Sequence, residues 1–276
     1  MELQAQNRNN PLLADRCVTF SSDFGHLDAY VASVKGIILG ISPKVKIIDI
    51  SHEISQHDVC QAAFLLASCY HCFPSHSIHL VVVDPGVGSN RSAIIASSSD
   101  HVFVAPDNGV LSLVLKKEKI KEVIDIKNNL YFRQPVAPTF HGRDILGPVA
   151  AHLANGVPAQ EFGPVLKEFV KLDVDSPNQK RPNTVLAKVM HVDRFGNIIT
   201  NVQGEDLIRW FGKDHPRRIE IQGQIIDHHY SYYAQAPPKK LFSILGSSGF
   251  LEISVFSNSA ARILGTRVGA MLKLTN

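Results

Sequence analysis

The sequence predicts an α/β protein, with an N-terminal mostly parallel sheet sandwiched by helices and a small C-terminal β-barrel domain. From residue 17 to about residue 170, β-branched runs alternate with segments of helical period, which is typical of a parallel sheet covered on both faces. Residues 172–183 are polar and contain two prolines, as interdomain connections often do. The short apolar runs that follow are separated by Gly, Asn and Asp, a spacing that favours a barrel or sandwich.

These composition changes predict four segments along the chain. We expect a flexible arm over 1–16, an α/β domain over 17–172, a linker over 173–183 and a β-barrel domain over 184–276. The first residues lack the charged start and continuous apolar run of a secretory signal. We therefore expect a cytoplasmic protein.

The elements of the first domain are predicted in alternation. Strands are expected at CVTFSS, VKIIDIS, IHLVVVD, SAIIASS and HVFVAPD, because each is short and rich in β-branched residues. Helices are expected where apolar residues recur with helical period, at AYVASVKGIILGI, DVCQAAFLLASCYHCF, GVLSLVLKKE and GRDILGPVAAHLANG. After the linker little helical signal remains, and strands are expected at VLAKVMHVD, NIITNV, RRIEIQGQIID, LFSILGSS, FLEISVFS and VGAMLKLT.

Composition restricts the class of ligand. Hydrophobic residues make up 45% of the 276 residues and charged residues 19%, and no apolar run approaches the roughly 18 residues of a membrane span. The net charge of +3 is mild and dispersed, which argues against nucleic acid as a partner. We therefore expect a small-molecule ligand, with no nucleic acid and no membrane as partners.

The four cysteines are expected to be reduced thiols. Cys69 and Cys72 form a Cys-x-x-Cys pair, which is half of a zinc site. No second such pair and no His-x-x-x-His pair follows to complete the site. We predict no metal and expect buried helix cysteines instead.

Three apolar runs end in turns rich in glycine and acid, at 17–25, 79–91 and 189–197, and they carry Asp23, Asp84 and Asp193. In open α/β sheets, ligands bind beyond the carboxyl ends of the strands. Asp23 is therefore a candidate for accepting ribose hydroxyls. The alternative for Asp23, or for the neighbouring Asp28, is to cap the following helix.

The turn DPGVGSNR at 84–91 brings Asp84 and Arg91 to either side of two glycines. It lacks the Gly-Lys-Ser/Thr ending of a phosphate-binding loop and the spacing of a dinucleotide fold. Either the glycines allow close approach of a ligand, or the segment is an ordinary turn with a solvated salt bridge.

His141 precedes the helix that begins in APTFHGRD, residues 137–144. A lone histidine is more often structural than catalytic. Beside an Asp and an Arg from other loops, however, an imidazole is suited to orienting or deprotonating water.

Taken together, the motifs resemble the family of S-adenosyl-L-methionine hydroxide adenosyltransferases, which is related to fluorinating and chlorinating enzymes. Seven of them occur in the order and near the spacing of that family, from about residue 17 to the end: SDFG with DAYVASVKG, DISHEI, VVVDPGVGSNR, APDNGVLS, PTFHGRD, VDRFGNIITN and SSGFLEISV. The resemblance implies a homotrimer with sites between neighbouring subunits. It also implies hydrolysis of S-adenosyl-L-methionine to adenosine and L-methionine, with no cofactor.

The resemblance also implies roles for individual residues. Asp84, Arg91 and His141 match the water-activating set of the family, and Asp23 matches its ribose-binding acid. Asp193 matches the acid that holds the methionine amino group. The other matched positions contact the adenine side or the substrate from the late strands, namely Phe195, Asn197, Ser247, Glu252 and Val255.

Departures from the halogenating relatives favour water over halide as the nucleophile. Those relatives replace the Asp and His of the water-activating set, whereas this chain retains Asp84 and His141, and a carboxylate there repels halide. SAIIASSSDHVFVAPDNG leaves no space for the extra loop of the fluorinating enzymes. Ser248 stands where the halogenating enzymes have an arginine, which leaves the binding of the methionine carboxylate open. A halogenase and a non-catalytic adenosine or S-adenosylmethionine sensor are the alternatives.

Overall fold

The computed structural model describes residues 16–172, 177–181, 183–213 and 215–276, and the chain divides into two compact units, 1–172 and 173–276. All of the expected arm except Arg16 lies outside the described residues. The Arg16 guanidinium donates to the carbonyl of Leu153 over 2.8 Å, which fixes the start of the described chain to the first unit.

A six-stranded sheet forms the centre of the first unit. Its strands are β1 (Cys17–Ser22), β2 (Lys46–Ser51), β3 (Ser77–Val82), β4 (Ala93–Ser97), β5 (His101–Pro106) and β6 (Glu122–Asp125). Their order across the sheet is β2-β1-β3-β5-β4-β6. The first four strands in this order are parallel, and β4 is antiparallel to both of its neighbours. The α/β class is therefore confirmed, and the sheet is mixed; the sequence did not predict β6.

Helices cover this sheet. They are α1 (Tyr30–Ile41), α2 (Val59–Cys69), α3 (Ser112–Lys117) and α4 (Gly147–Ala154). α1 and α4 pack together, and Val34, Ile38 and Val149 join Phe20 and Leu80 in one hydrophobic core. β1 and β3 are buried along their whole length, as expected for central strands covered on both faces.

The second unit is a nearly closed antiparallel sheet, which confirms the predicted β-barrel architecture. Its strands are β7 (Asn178–Arg181), β8 (Thr184–Val192), β9 (Ile198–Gln203), β10 (Arg218–Ile221), β11 (Gln224–Ile226), β12 (Leu241–Leu245), β13 (Phe250–Val255) and β14 (Met271–Thr275). The order is β11-β10-β14-β8-β9-β13-β12, with β7 pairing with β8 off this path. β11 also contacts β12. β7 lies within the segment expected to be a linker, of which 173–176 and 182 lie outside the described residues.

The second unit also contains two helices that the sequence analysis missed, α5 (Gly204–Phe211) and α6 (Ala260–Leu264). α5 has local start and stop signals: the Asp206 carboxylate accepts from the backbone N–H of Gln203 over 3.3 Å, and Gly212 ends the helix with φ +67°. These signals are visible in QGEDLIRWFG. Across the described ranges, no helix combines the length and the apolar composition needed to cross a membrane.

Candidate functional site

Two of the candidate acids follow neighbouring parallel strands. Ser22 at the end of β1 pairs in register with Val82 at the end of β3. Asp23 comes directly after Ser22, and Asp84 follows Val82 with only Val83 between them, so both begin loops at the carboxyl edge of the sheet. This is the edge at which open α/β sheets bind ligands.

Asp84 and Arg91 form a bidentate ion pair. Arg91 Nε donates to Asp84 Oδ1 over 2.6 Å, and Nη2 donates to Oδ2. Arg91 Nη1 also donates to the carbonyl of Ser92 over 2.7 Å. The side chains are only 6% and 12% exposed for Asp84 and Arg91, so the alternative of a solvated salt bridge on an ordinary turn is wrong. A buried pair of this kind is retained only with good geometry and further hydrogen bonds.

Glycines let the loops of the site pack closely on one another. A Cβ on Gly88, whose φ is +79°, would lie 2.6 Å from the carbonyl oxygen of Pro138. A Cβ on Gly142 would lie 2.7 Å from Cγ1 of Val82 and 3.6 Å from the ring of Phe24. The loops after β1 and β3 therefore both contact PTFHGRD, and the contact requires glycine.

His141 lies at the start of a π-helix, Gly142–Leu146, which continues into α4. Such single π-turns occur frequently at functional sites, and the sequence did not predict this one. Burial, followed by the positive charge of Arg91, lowers the pKa of His141, while the charges of Asp84 and Asp144 act in the opposite direction. The imidazole therefore lies within electrostatic range of the ion pair and is neutral near pH 7.

Asp144 holds the His141 loop in place. Its carboxylate has no exposed surface and accepts two bonds of 2.7 Å from Arg143, one of 3.1 Å from Arg133 and one of 2.9 Å from the backbone N–H of Ala137. Hydrogen bonding of this kind lowers the pKa of Asp144 against the opposing effect of burial. The Arg143–Asp144 pair is therefore a structural support for His141.

Asn108 is a residue of the site that sequence reasoning missed. It lies in APDNG, just after β5, and its Nδ2 donates to the carbonyl of Val83 over 2.8 Å. Val83 immediately precedes Asp84, so this bond anchors the loop that carries the ion pair. The sequence feature that could have identified Asn108 is an asparagine beside a glycine at the end of a buried strand.

Asp23 does not cap a helix. Its Oδ2 accepts from the backbone N–H of His57 over 2.9 Å, and the N-cap position of α1 is Ala29, with no side-chain capping bond. The capping alternative is therefore wrong for Asp23 and Asp28. Among the described residues Oδ1 of Asp23 has no hydrogen-bond donor, so it is available to a ligand.

In the second unit, Asp193 organises the turn between β8 and β9. Its Oδ1 accepts from the backbone N–H groups of Phe195 and Asn197 over 2.9 and 2.8 Å, and Oδ2 accepts from Asn197 Nδ2 over 2.9 Å. Gly196 has φ +83°, and a Cβ there would meet Ser259. The turn leaves the Phe195 ring 77% exposed, which is unusual for a phenylalanine and leaves its face free for a ligand.

Glu252 is buried near this turn. Its Oε2 accepts from the Tyr233 hydroxyl over 3.0 Å, and its other oxygen lies against Gly246, where a Cβ would collide with it. Burial raises the pKa of Glu252, with a smaller effect from the charge of Asp193.

The remaining candidates of the second unit lie on or beside β13. Val255 is buried at the end of that strand, and Ser247 is exposed in the loop before it. The Ser248 hydroxyl in the same loop is buried and has no hydrogen-bond partner among the residues that the structure describes. A buried hydroxyl without a partner is unfavourable unless a ligand or water satisfies it.

The four cysteines are thiols that differ in exposure. Cys72 is exposed and Cys69 is partly buried, so the prediction of buried cysteines in this Cys-x-x-Cys pair is wrong for Cys72. Burial raises the pKa of Cys69 to about 11. In the part of the chain that the structure describes, no three His, Cys, Asp or Glu side chains are grouped to hold a metal ion.

The comparisons with known proteins match both units. Residues 18–163 match the model of the SAM hydroxide adenosyltransferase N-terminal domain, and residues 187–273 match that of the corresponding C-terminal domain. The chain is 37% identical to the (R)-S-adenosyl-L-methionine hydrolase of Methanocaldococcus jannaschii, over 90% of this chain and 91% of that protein. It is 32% identical to the enzyme of the same name from Salinispora tropica, over 94% and 97%.

Two further comparisons extend this picture. A fluorinase from an Actinoplanes species is 27% identical over 72% of this chain and 74% of that protein. The crystal structure of an uncharacterized conserved protein from Thermotoga maritima superposes with a TM-score of 0.87 at 33% identity, covering 94% of this chain and all of that one.

Proposed function

Since the chain belongs to the S-adenosyl-L-methionine hydroxide adenosyltransferase family, we propose that it hydrolyses S-adenosyl-L-methionine to adenosine and L-methionine. The observation that carries the proposal is the buried Asp84–Arg91 pair within electrostatic range of a neutral His141. Water or hydroxide attacks the ribose 5′ carbon in line with the carbon–sulfur bond. The bond to sulfur breaks, and methionine leaves as a neutral thioether.

The leaving group makes this reaction possible without acid catalysis. A sulfonium carries its positive charge on the atom that departs, so it needs no proton. The enzyme's task is to hold one oxygen in line and to remove bulk solvent, and such positioning contributes up to about 7–11 kcal/mol. We expect a chelator to leave the rate unchanged, because no step requires a Lewis acid.

We assign the proton transfer to His141. Both oxygens of Asp84 already accept from Arg91, and the remaining lone pairs of the carboxylate orient the water. The imidazole is neutral near pH 7 because burial and Arg91 lower its pKa. It therefore accepts the proton as the oxygen–carbon bond forms.

The remaining candidates bind the substrate. Asp23 accepts from the ribose hydroxyls through its unoccupied Oδ1. The exposed Phe195 ring and Asn197 contact the adenine, and Ser247, Glu252 and Val255 line the same subsite. Asp193 holds the methionine amino group. In place of an arginine, the unpartnered Ser248 hydroxyl donates to the methionine carboxylate.

The name shared by the relatives specifies the R configuration at the sulfonium, and we propose the same preference here. In-line attack requires the carbon–sulfur bond to point away from the attacking water. When the adenosine and methionine parts are both held in the site, the two sulfur configurations direct that bond differently. Turnover of the separated diastereomers, followed by chromatographic detection of adenosine and methionine, tests both the activity and the preference. We expect faster turnover of the R form. Binding without turnover supports the sensor alternative and contradicts hydrolysis.

We further propose a homotrimer in which neighbouring subunits complete each site, as the family resemblance implies. Light scattering after size exclusion measures the mass. To test whether sites are shared between subunits, inactive Asp84→Asn protein and inactive Asn197→Ala protein are dissociated, mixed and reassembled. Recovered activity is expected for shared sites, and a monomer with no recovery contradicts the proposal.

A further inference from the structure

The motif DISHEI, residues 49–54, takes no part in the reaction described above, yet it contacts the turn that carries Asp23. Its His52 is 1% exposed. The imidazole packs edge-on against Phe20 at 4.6 Å between ring centroids, and against His26 at 5.2 Å. A buried imidazole needs hydrogen-bond partners for its ring nitrogens.

His52 connects Ser22 to Asp49. Its Nδ1 lies 2.7 Å from the Ser22 hydroxyl, and its Nε2 lies 3.1 Å from Asp49 Oδ1, in a bent contact that is mainly electrostatic. Lys35 Nζ binds the other oxygen of Asp49 over 2.6 Å. Burial lowers the pKa of His52 despite Asp49, so the ring is neutral near pH 7.

The Asp49 carboxylate determines which groups of this network donate and which accept. A carboxylate only accepts, so the proton of the neutral ring belongs on Nε2, facing Asp49. Nδ1 is then an acceptor, and the Ser22 hydroxyl donates to it. The Ser22 oxygen in turn accepts from the backbone N–H of Phe24 over 3.4 Å.

Ser, His and Asp in this order also occur in hydrolases, where the serine is a nucleophile. That interpretation is excluded here because Ser22 has no exposed surface. The network instead ends in the backbone of the SDFG turn. His52 also accepts at its carbonyl from the N–H of Gly25 over 2.8 Å. His52 therefore forms hydrogen bonds on both sides of Asp23, with Ser22 before it and with Gly25 after it.

We propose that His52 is a positioning residue for ribose binding: with Ser22 and Asp49 it holds the SDFG turn so that the Asp23 carboxylate faces the ribose hydroxyls. This inference rests on the proposed function. Among the described residues, the Asp23 carboxylate is held only by His57, through its backbone N–H and a 3.9 Å contact with its Nδ1, so its direction also depends on the turn. The bonds of Ser22 and His52 to each other and to the backbone of the turn provide the required rigidity.

Three variants and one control test the proposal. Ser22→Ala removes the link to the turn and keeps the ring, and His52→Phe removes the polar contacts and keeps the packing. His52→Asn restores an acceptor near the Nδ1 position. Thr19→Val is the matched control, because the Thr19 hydroxyl makes a 2.8 Å bond to the buried His79 from the same strand, away from the site.

Steady-state kinetics with S-adenosyl-L-methionine give the readout. We expect Ser22→Ala and His52→Phe to raise KM about tenfold, the equivalent of one hydrogen bond of ~1.4 kcal/mol, with kcat changed less than about threefold. His52→Asn is expected to recover part of the loss, and Thr19→Val to leave KM unchanged. In an Asp23→Ala background, Ser22→Ala is expected to have no further effect on KM, because Ser22 acts through Asp23.

The result that overturns the proposal is an unchanged KM in both Ser22→Ala and His52→Phe, or full additivity of Ser22→Ala with Asp23→Ala. If wild-type protein does not turn over the substrate, the proposed function fails instead, and the same double-mutant cycle on adenosine affinity, measured by calorimetry, decides the role of His52. Loss of affinity that is non-additive with Asp23→Ala supports it, and unchanged or additive affinity contradicts it.

Discussion

At the scale of single residues, the site depends on a charge pair that is withdrawn from solvent. Asp84 and Arg91 share two hydrogen bonds and are almost fully covered. Each charge stabilises the other, and removing one leaves an uncompensated buried charge. The pair therefore fixes the direction of the carboxylate, and its burial strengthens any interaction with a bound water.

Asp84→Asn is expected to lower kcat by about 10²–10⁴-fold, because the amide neither balances Arg91 nor accepts as a carboxylate does. It is also expected to lower the melting temperature, since Arg91 loses its partner. Initial rates measured well below that temperature separate the two effects. Asp100→Asn, at an exposed turn residue, is the control and retains wild-type kcat. Equal rates for both variants contradict the role of Asp84.

In the proposed mechanism the pH dependence of kcat/KM reports the protonation of His141, and the neutral imidazole is the active form. The pKa of His141 lies below the ordinary value of 6.5 because of burial and Arg91. The rate is therefore expected to stay constant from pH 8 to about 6.5 and to fall only at lower pH. His141→Asn is expected to be slower and to lose this acidic limb. An acidic limb centred above 6.5 in the wild-type protein contradicts the assignment.

Several site residues are identifiable from sequence because their chemistry is local. Asp84 and Arg91 lie within one glycine-containing turn, so their pairing follows from a short segment. Asp23 is a candidate by its place after a strand, but its contact with His57 joins residues 34 apart, and pattern alone does not predict it. The turn that carries the ion pair also contacts a residue distant in the sequence, since Gly88 lies against Pro138.

At the scale of elements, the loops after β1 and β3 and the segment before α4 form one packed group. Phe24, Tyr30 and Phe140 pack with ring centroids 5.3–5.7 Å apart, which joins the first loop to α1 and to the His141 segment. Gly88 permits the contact with the Pro138 carbonyl, and Gly142 permits the contact with the side chains of Val82 and Phe24. The relative position of Asp84 and His141 therefore depends on contacts that only glycine allows.

Gly88→Ala tests this packing. The added methyl meets the Pro138 carbonyl at 2.6 Å and the backbone keeps φ at +79°, so the loops must separate. We expect loss of most of the activity together with a lower melting temperature. Gly212→Ala is the matched control, because its φ is also positive but a Cβ there would meet no described atom within 4 Å. It costs about 1–2 kcal/mol of backbone strain and leaves kcat unchanged. Similar kcat losses in both variants contradict the role of loop packing.

Most elements with a clear periodicity were predictable, α5 being an exception, and the shortest elements were not. The buried strands β1 and β3 follow from continuous β-branched runs, and α1 and α2 from their apolar period. β6 has four residues and α6 has five, which is too short for a period to stand out. The antiparallel direction of β4 depends on its pairing with both neighbouring strands, and the sequence pattern does not determine that pairing.

At the scale of the whole molecule, the first unit contains a second polar cluster, located at the opposite end of its parallel strands. Thr19 binds His79 Nδ1 over 2.8 Å, and His79 Nε2 lies 3.2 Å from His101 Nδ1. His79 also stacks on Phe103 with centroids 5.1 Å apart. Burial, with a smaller effect of His101, lowers the pKa of His79 to about 3. The fold therefore requires a neutral imidazole in its core.

This requirement predicts acid sensitivity of folding. His79 titrates near 6.5 in the unfolded chain and near 3 in the folded one. Its contribution to stability is present above pH 6.5 and is lost as the pH falls from 6.5 towards 3. Between pH 7 and pH 5 we expect a loss of up to ~2 kcal/mol from this residue, measured by urea unfolding. His79→Gln, which does not titrate, is expected to show a smaller loss over the same interval. An equal loss in both proteins contradicts the assignment to His79.

The most direct test of the account is the fate of the oxygen atom. A single turnover of S-adenosyl-L-methionine in ¹⁸O-labelled water, with chloride present, is followed by mass spectrometry of the products. Attack by a water held by Asp84, Arg91 and His141 places one labelled oxygen at the 5′ position of adenosine and none in methionine. This is the result we expect. Unlabelled adenosine, or 5′-chloro-5′-deoxyadenosine as the product, contradicts direct attack of water on the 5′ carbon.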